Sequence, residues 1–309
     1  MIRRLSVVAI LTTSLLAGAI ALAHGAVHER IATLTLEIRA HPNDAELLAK
    51  RGELHALDQN WTQAAEDFEE ALAVDPDRID VMHHLADAKL HLGDAADALR
   101  LANAVLARRA DHPRALVLRA RAHERLGSWR DAVGDMSRLI ASRRSPSPEN
   151  YVERAQIQQR GGDEDGAIAG LREGMARLGP LVSLVEPAVA IEARRGRHDA
   201  ALALVDQLDR GLASTPRWLT RQGELHQDAG RRDEAKAAYE AALGALDRLV
   251  ESRRSAPRQV ELRARIVERL EQLPPARTTH ASAPGRWAWW PALGAILAGA
   301  ALGFALQRR

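Results

Sequence analysis

Hydrophobic residues in the central part of the chain recur every three or four positions, which is the spacing of helices with one buried face. The first clear example is a helix predicted over Ala45–Leu57, which a short polar turn separates from a second helix over Trp61–Val74. In the second helix, Ala64 and Phe68 lie four residues apart on one face, and Pro76 follows its end because proline cannot continue a helix. The pattern therefore predicts a pair of antiparallel helices.

This helical pair is repeated along the chain with a period of 34 or 35 residues. Glycine marks the turn in most repeats, and glutamine occupies the same register in the first: Gln59, Gly93, Gly127, Gly162, Gly196 and Gly230. An alanine stands five residues after each of these positions: Ala64, Ala98, Ala132, Ala167, Ala201 and Ala235. The small alanine lets the two helices of a pair approach closely, and each pair buries its apolar face only against its neighbours.

The repeat predicts an all-α protein in which about six helical hairpins stack into a superhelical solenoid over 43–250. The hairpins are expected at 43–77, 78–112, 113–147, 148–181, 182–215 and 216–250. An unpaired helix over Val27–Ala40, within 24–42, and an amphipathic helix within 256–273 are expected to cap the two ends. The apolar side of the second cap is predicted to consist of Val260, Leu262, Ile266, Val267 and Leu270.

The first repeat carries Leu48, Gly52, His55, Ala64, Phe68, Ala71 and Pro76, and the last carries Leu219, Gly223, His226, Ala235, Tyr239 and Ala242. These positions resemble the pattern of the tetratricopeptide repeat family over about Asn43–Leu249. The resemblance implies a right-handed superhelical solenoid that binds a protein or peptide on the surface lined by the first helix of each hairpin. The middle repeats depart from the pattern, and Pro187 is expected to kink or shorten the first helix of the fifth hairpin.

A secretory signal peptide is predicted at 1–23. Two arginines precede an apolar stretch at 5–22, and Ala21-Leu22-Ala23 provides the small residues of a cleavage site. Cleavage after Ala23 makes His24 the first residue of the mature chain. An uncleaved signal anchor is the alternative, and in both cases the body of the protein is expected outside the cytoplasm.

A transmembrane helix is predicted at 287–306, after a proline-rich linker at 274–286. About 20 residues at ~1.5 Å each span a bilayer core of ~30 Å. Tryptophans at its start favour a membrane interface, and Arg308 and Arg309 in the tail 307–309 favour the cytoplasmic side. These signals predict a single-pass protein of a bacterial cytoplasmic membrane, with its repeats in the periplasm or outside. Alternatively, the tail is a sorting signal that is removed, which leaves a surface or released protein.

Composition narrows the chemistry further. The chain has no cysteine, which excludes disulfides, thiol catalysis and a lipoprotein anchor. Its formal net charge is +2, and this near balance gives no argument for a nucleic-acid partner, so none is expected.

The surface lined by the first helices is the predicted binding groove. In this register it contains Glu53, His83, Asp87, Arg121, Arg125, Gln156, Gln159, Arg160, Arg194, Glu224 and Gln227. The paired lysines and asparagines with which some relatives bind carboxylates are absent, because Ala49, Glu53, His83, Asp87 and Val117 stand at those places with Arg121. A groove rich in arginine and glutamine favours an acidic or extended peptide, whose identity the sequence does not give.

No catalytic constellation is found, and no enzymatic activity, cofactor, metal or small-molecule substrate is expected. His83, Asp87 and His91 follow one another at four-residue spacing, but two helical turns are too long a span for one ion. His55 and His226 are expected to be packing residues. A metal-binding or enzymatic role for an amino-terminal His24 is kept as an alternative.

Overall fold

The computed structural model of the protein describes residues 25–274. Sixteen helices and no strand are found in this range. The predicted signal peptide, the predicted transmembrane helix at 287–306 and its tail lie outside the described residues. Within residues 25–274, no helix is both long enough and apolar enough to cross a bilayer.

The helices of the described residues follow the predicted period. Helix α1 covers 25–40. The next eight helices are α2 (Ala45–Leu57), α3 (Trp61–Val74), α4 (Ile79–His91), α5 (Ala95–Arg108), α6 (Pro113–Arg125), α7 (Trp129–Ser142), α8 (Pro148–Arg160) and α9 (Glu164–Leu178). The remaining helices are α10 (Val182–Arg194), α11 (His198–Val205), α12 (Arg210–Ala213), α13 (Pro216–Asp228), α14 (Arg232–Asp247), α15 (Glu251–Arg254) and α16 (Pro257–Glu271). Helices α2 and α3 begin and end at the predicted residues.

The described residues form two compact units, which divide between Ala213 and Ser214. The first unit contains α1 and five consecutive hairpins, which are α2/α3, α4/α5, α6/α7, α8/α9 and α10/α11. Each second helix packs on the first helix of the next hairpin up to α10, so the apolar faces form continuous cores. Helix α1 adds Leu34 and Ile38, which are 1% and 8% exposed.

The turns inside the hairpins adopt the same backbone conformation in all six repeats. The glycines predicted from the period have positive φ angles: 89° at Gly93, 76° at Gly127, 81° at Gly162, 70° at Gly196 and 72° at Gly230. Gln59 stands at the same place with a φ of 61°. Glycine suits this left-handed conformation because it has no Cβ to clash with the backbone.

Two hairpins contain a buried ion pair at the same repeat position. In α2/α3, Nε of Arg51 donates to Oδ2 of Asp67 over 2.9 Å. In α6/α7, Nε of Arg119 donates to Oδ2 of Asp135 over 2.8 Å. The two aspartates are 3% and 5% exposed, so each depends on its arginine to compensate its lost hydration.

The fifth hairpin differs from the prediction. The sequence predicted that Pro187 kinks or shortens helix α10. The helix keeps 13 residues, so it is not shortened, and the kink stays a prediction. The shortened element is the return helix α11, which has 8 residues and is followed by the single turn α12. A proline inside a helix removes one hydrogen bond, and the burial of Leu184, Val185 and Ala188 holds the surrounding backbone in place.

The second unit contains the hairpin α13/α14, and α16 packs on α14. Ile266 is fully buried against Tyr239 and Leu246, with Leu262 and Leu270 beside it. The apolar side of α16 is narrower than predicted, because Val260 and Val267 are 53% and 41% exposed. At 100° per residue these two valines lie away from the side that carries Ile266.

Candidate functional site

The first helices of three consecutive hairpins line most of an open cavity of about 970 Å³, which we call the groove cavity. Helix α4 contributes Asp87, Leu90 and His91, and α6 contributes Arg121, Glu124 and Arg125. Helix α8 contributes the largest share with Glu149, Val152, Glu153, Gln156 and Arg160. Trp129 and Ser183 complete the lining. Five of the predicted groove residues therefore meet here, namely Asp87, Arg121, Arg125, Gln156 and Arg160.

The arginines of the groove cavity already have partners. Nε of Arg121 donates to Glu153 over 3.1 Å, and Arg160 forms an ion pair with Glu124. Arg125 donates to the main-chain carbonyl of Leu90, one of the last carbonyls of α4. Because these arginines are paired, the cavity is nearly balanced in charge, although the sequence indicated a groove rich in arginine and glutamine.

Two aromatic contacts hold the hairpin turns beside the groove cavity. His91 stacks on Trp61 with ring centroids 3.8 Å apart and an angle of 3° between the ring planes. Trp129 packs against Gly161 so closely that an added Cβ at Gly161 would lie 2.9 Å from the Trp129 Cβ. The glycine therefore allows the third and fourth hairpins to approach at this point.

A second cavity of about 470 Å³, the N-terminal cavity, shares Asp87 and Arg121 with the groove cavity. It lies at the amino-terminal ends of α6 and α8, where His112 and Ser147 are the N-cap residues. Its other polar lining residues are Arg114, Arg143 and Asn150.

His83 lies in neither of these cavities. It lines a third cavity of about 320 Å³ together with Arg78, Asp80, Arg109 and His112. Its ring centroid lies 4.3 Å from that of His84 and 5.8 Å from that of His112. Burial, followed by the charges of the nearby histidines and an arginine, lowers the pKa of His83 to about 4, so its ring is neutral at pH 7.

Three more predicted residues of the first unit lie outside the groove cavity lining. Glu53 is exposed, and one of its carboxylate oxygens is 3.6 Å from Nε2 of His84. Arg194 donates to Gln159 over 3.4 Å and lies 3.5 Å from Glu164. These contacts are ion pairs and hydrogen bonds within the helical surface.

Two predicted residues belong to the second unit. Glu224 lies 2.9 Å from Arg221. Gln227 accepts a hydrogen bond of 2.8 Å from the hydroxyl of the buried Tyr239. The side-chain oxygen of Gln227 therefore satisfies a polar group of the core.

Sequence reasoning missed several residues of the groove cavity, including Glu124, Trp129, Glu149 and Glu153. The signal that was available is the spacing of Glu149, Val152 or Glu153, and Gln156, which lie three or four residues apart on α8 and so share one face. The pairing of Arg160 with Glu124 had no such signal, because it joins two different hairpins.

The described residues contain no group of three or more His, Asp or Glu side chains placed to hold a metal ion. The three residues of α4 that the sequence singled out do not line one cavity. His83 lines the third cavity, while Asp87 and His91 line the groove cavity. His24 lies outside the described residues.

Comparison with known families identifies the repeats. Tetratricopeptide repeat profiles match residues 55–122 and residues 218–245. The chain therefore carries tetratricopeptide repeats, which generally mediate protein–protein interaction. No curated protein matches the chain in a sequence comparison.

Solved structures show the same fold. A tetratricopeptide repeat protein from Parabacteroides merdae ATCC 43184 aligns with 80% of this chain and 92% of its own, at 16% identity and a TM-score of 0.50. The C-terminal part of a TPR repeat-containing protein from Cytophaga hutchinsonii aligns with 76% of this chain and 94% of its own, at 12% identity and a TM-score of 0.57. Both similarities concern the fold alone: an all-α helical repeat of the tetratricopeptide type.

Proposed function

We propose that this chain is a non-enzymatic scaffold that binds an extended segment of a partner protein in the groove cavity. The observation that carries the proposal is the meeting of α4, α6 and α8 around one cavity of about 970 Å³. A cavity of this size accommodates several side chains of a peptide.

The chemistry of the walls suits a peptide better than a small charged ligand. Leu90 and Val152 offer apolar contact, and the exposed Gln156 offers both a hydrogen-bond donor and an acceptor. Since Arg121 and Arg160 are already paired with carboxylates, the cavity has little net charge to attract a small ion. An extended peptide satisfies such a surface through apolar side chains and main-chain hydrogen bonds.

Substitution of the cavity face of α8 tests this proposal. We expect the double substitution Val152→Asp and Gln156→Asp to reduce partner capture from bacterial membranes at least about tenfold, because it places two charges where the peptide lies. Ala169→Asp with Ala176→Asp is the matched control, since both alanines are exposed on α9, the other helix of the same hairpin. Circular dichroism verifies that both variants are equally folded.

Equal capture by both double variants would contradict the proposal. Loss of capture in the α9 variant alone would place the partner on the second-helix surface. In either case the groove cavity would not be the binding site.

The proposed setting is the outer side of a bacterial cytoplasmic membrane, with 287–306 as the anchor. This part of the proposal rests on the signal peptide predicted at 1–23 and on the arginines that follow the apolar tail. Reporter fusions after residue 272 and after Arg309 test it: activity of a periplasmic reporter is expected only at the first site. An intact mass that ends near residue 285 would instead show that the tail is removed.

A further inference from the structure

The N-terminal cavity is rich in hydrogen-bond donors and poor in acceptors. Arg143 is exposed, and within residues 25–274 its guanidinium has no carboxylate within ion-pair distance. Arg114 reaches only a distant partner, since its Nη2 lies 3.7 Å from Asp87. Two arginines that are not closely neutralised therefore line the same small cavity.

The polar residues beside these arginines also present donors. Oδ1 of Asn150 accepts from the main-chain N–H and from the hydroxyl of Ser147, both over 3.2 Å. Its amide Nδ2 has no partner among the described residues and is left to donate.

His112 resembles Asn150, because one polar atom of its side chain already accepts a hydrogen bond and the other is left to donate. Its Nδ1 accepts from the main-chain N–H of Ala115 over 3.2 Å. Burial, then Arg109 and Arg114, hold the pKa of His112 below its usual value, which favours the neutral ring at pH 7. Because Nδ1 accepts a hydrogen bond, the proton of the neutral ring is on Nε2. The N–H at Nε2 is therefore the donor that this ring offers.

The carboxylates around this cavity are too few to balance these donors. Among residues 25–274, Asp87 is the one carboxylate in the lining of the N-terminal cavity. Arg121 contributes a third guanidinium, although it is shared with Glu153 of the groove cavity. An excess of guanidinium and N–H donors stabilises an oxyanion, and arginine binds carboxylates through paired donors.

We propose that the N-terminal cavity binds a carboxylate of the partner peptide, with Arg114 and Arg143 as its main contacts. This inference rests on the proposed function, because the carboxylate belongs to the same peptide that lies in the groove cavity. The two cavities share Asp87 and Arg121, so one extended chain passes from one to the other. The groove cavity provides shape and apolar contact, and the N-terminal cavity provides the preference for an acidic residue or a free carboxyl terminus.

Binding of defined peptides to the full chain in a nonionic detergent tests the proposal. The probes are three dye-labelled Gly/Ser/Leu peptides: one with an internal Glu-Glu pair and an amidated end, one with Gln-Gln and an amidated end, and one with Gln-Gln and a free carboxyl end. Fluorescence anisotropy gives each affinity. We expect at least one carboxylate peptide to bind about tenfold tighter than the amidated Gln-Gln peptide, and the stronger of the two identifies the source of the carboxylate.

Matched arginine variants locate this preference. Arg114→Gln and Arg143→Gln are each expected to reduce it at least about fivefold, whereas Arg144→Gln should keep it within about twofold. Arg144 is the control because it is exposed, adjacent in sequence and absent from the cavity lining, so its substitution changes the net charge equally. An equal loss in all three variants would reduce the effect to general electrostatic attraction and overturn the proposal.

Two further outcomes separate this inference from the proposed function. If all three peptides bind equally and all are weakened by Val152→Asp with Gln156→Asp, the groove binds peptides and the carboxylate site is wrong. If no peptide binds at concentrations up to about 1 mM, both the carboxylate site and the peptide-binding groove are contradicted.

Discussion

The repeated left-handed turn predicts opposite effects of one methyl group at two glycines. Gly93 lies in the turn of the second hairpin with a φ of 89°, and Gly134 lies inside helix α7. An added Cβ would have no atom within 4 Å at either position. Gly93→Ala and Gly134→Ala therefore add the same methyl group to open space and differ only in backbone conformation.

The expected magnitudes follow from that conformation. A left-handed backbone costs an L-residue about 1–2 kcal/mol, which is partly offset by the lower entropy of the unfolded alanine chain. Gly93→Ala should therefore lower the free energy of unfolding by about 1 kcal/mol. Gly134→Ala should raise it by about 0.5–1 kcal/mol, because alanine is the better residue in a helix.

Urea unfolding of a protein spanning residues 25–274, followed by far-ultraviolet circular dichroism, measures both changes. A total difference of about 1.5–2 kcal/mol corresponds to midpoints separated by about 0.75–1 M for a slope near 2 kcal/mol per M. If the two midpoints shift in the same direction, or if Gly93→Ala has a higher midpoint than the unsubstituted protein, backbone conformation does not explain the two effects.

Three other predictions concern buried polar groups. Asp135→Ala removes the carboxylate partner of the partly buried Arg119, which keeps only its hydrogen bond to Asn103, and should cost about 2–3 kcal/mol. Loss of the exposed pair by Asp111→Ala should cost less than about 1 kcal/mol. Equal costs of the two substitutions in urea unfolding would contradict this difference. Tyr151→Phe should leave stability unchanged or slightly higher, because its buried hydroxyl has no partner among the described residues, whereas Tyr239→Phe loses a hydrogen bond of 2.8 Å and about 1 kcal/mol. A larger loss of stability for Tyr151→Phe than for Tyr239→Phe would show that the hydrogen bonds of the two hydroxyls are wrongly assigned. Because the pKa of His83 falls from 6.5 to about 4 on folding, the unfolded chain binds more protons between these values and stability falls as pH drops through this window. His83→Asn should flatten this pH dependence of the thermal midpoint, and an unchanged slope would argue against a buried neutral ring.

The period of the sequence was enough to predict the hairpins, because each turn needs a residue that tolerates a positive φ angle. Gly127 and Gly230 occupy positions at which most residues are strained, and the period through them included Gln59, which has the same backbone conformation. The length of α11 had no comparable local signal. Pro187 is the strongest helix breaker in that region, yet buried neighbours keep α10 at 13 residues.

The composition of the groove was only partly predictable. A helical register places Arg121 and Gln156 on the first-helix surface, and the structure finds both in the groove cavity. It does not predict which charges meet across hairpins. The pairing of Arg121 with Glu153 depends on how α6 and α8 pack, and it neutralises one of the arginines that the sequence placed in the groove.

Photo-crosslinking in native membranes tests whether the partner binds on the surface lined by the first helices of the hairpins. A benzophenone amino acid replaces Gln156 on the cavity face of α8 in one full-length variant, and Ala169 on the exposed face of α9 in another. We expect irradiation to crosslink the benzophenone at position 156 to a partner, which gives a covalent adduct of defined mass. We expect no adduct with the benzophenone at position 169. An adduct from position 169 alone, or adducts of equal yield from both, would contradict the claim that the first-helix surface is where this repeat binds its partner.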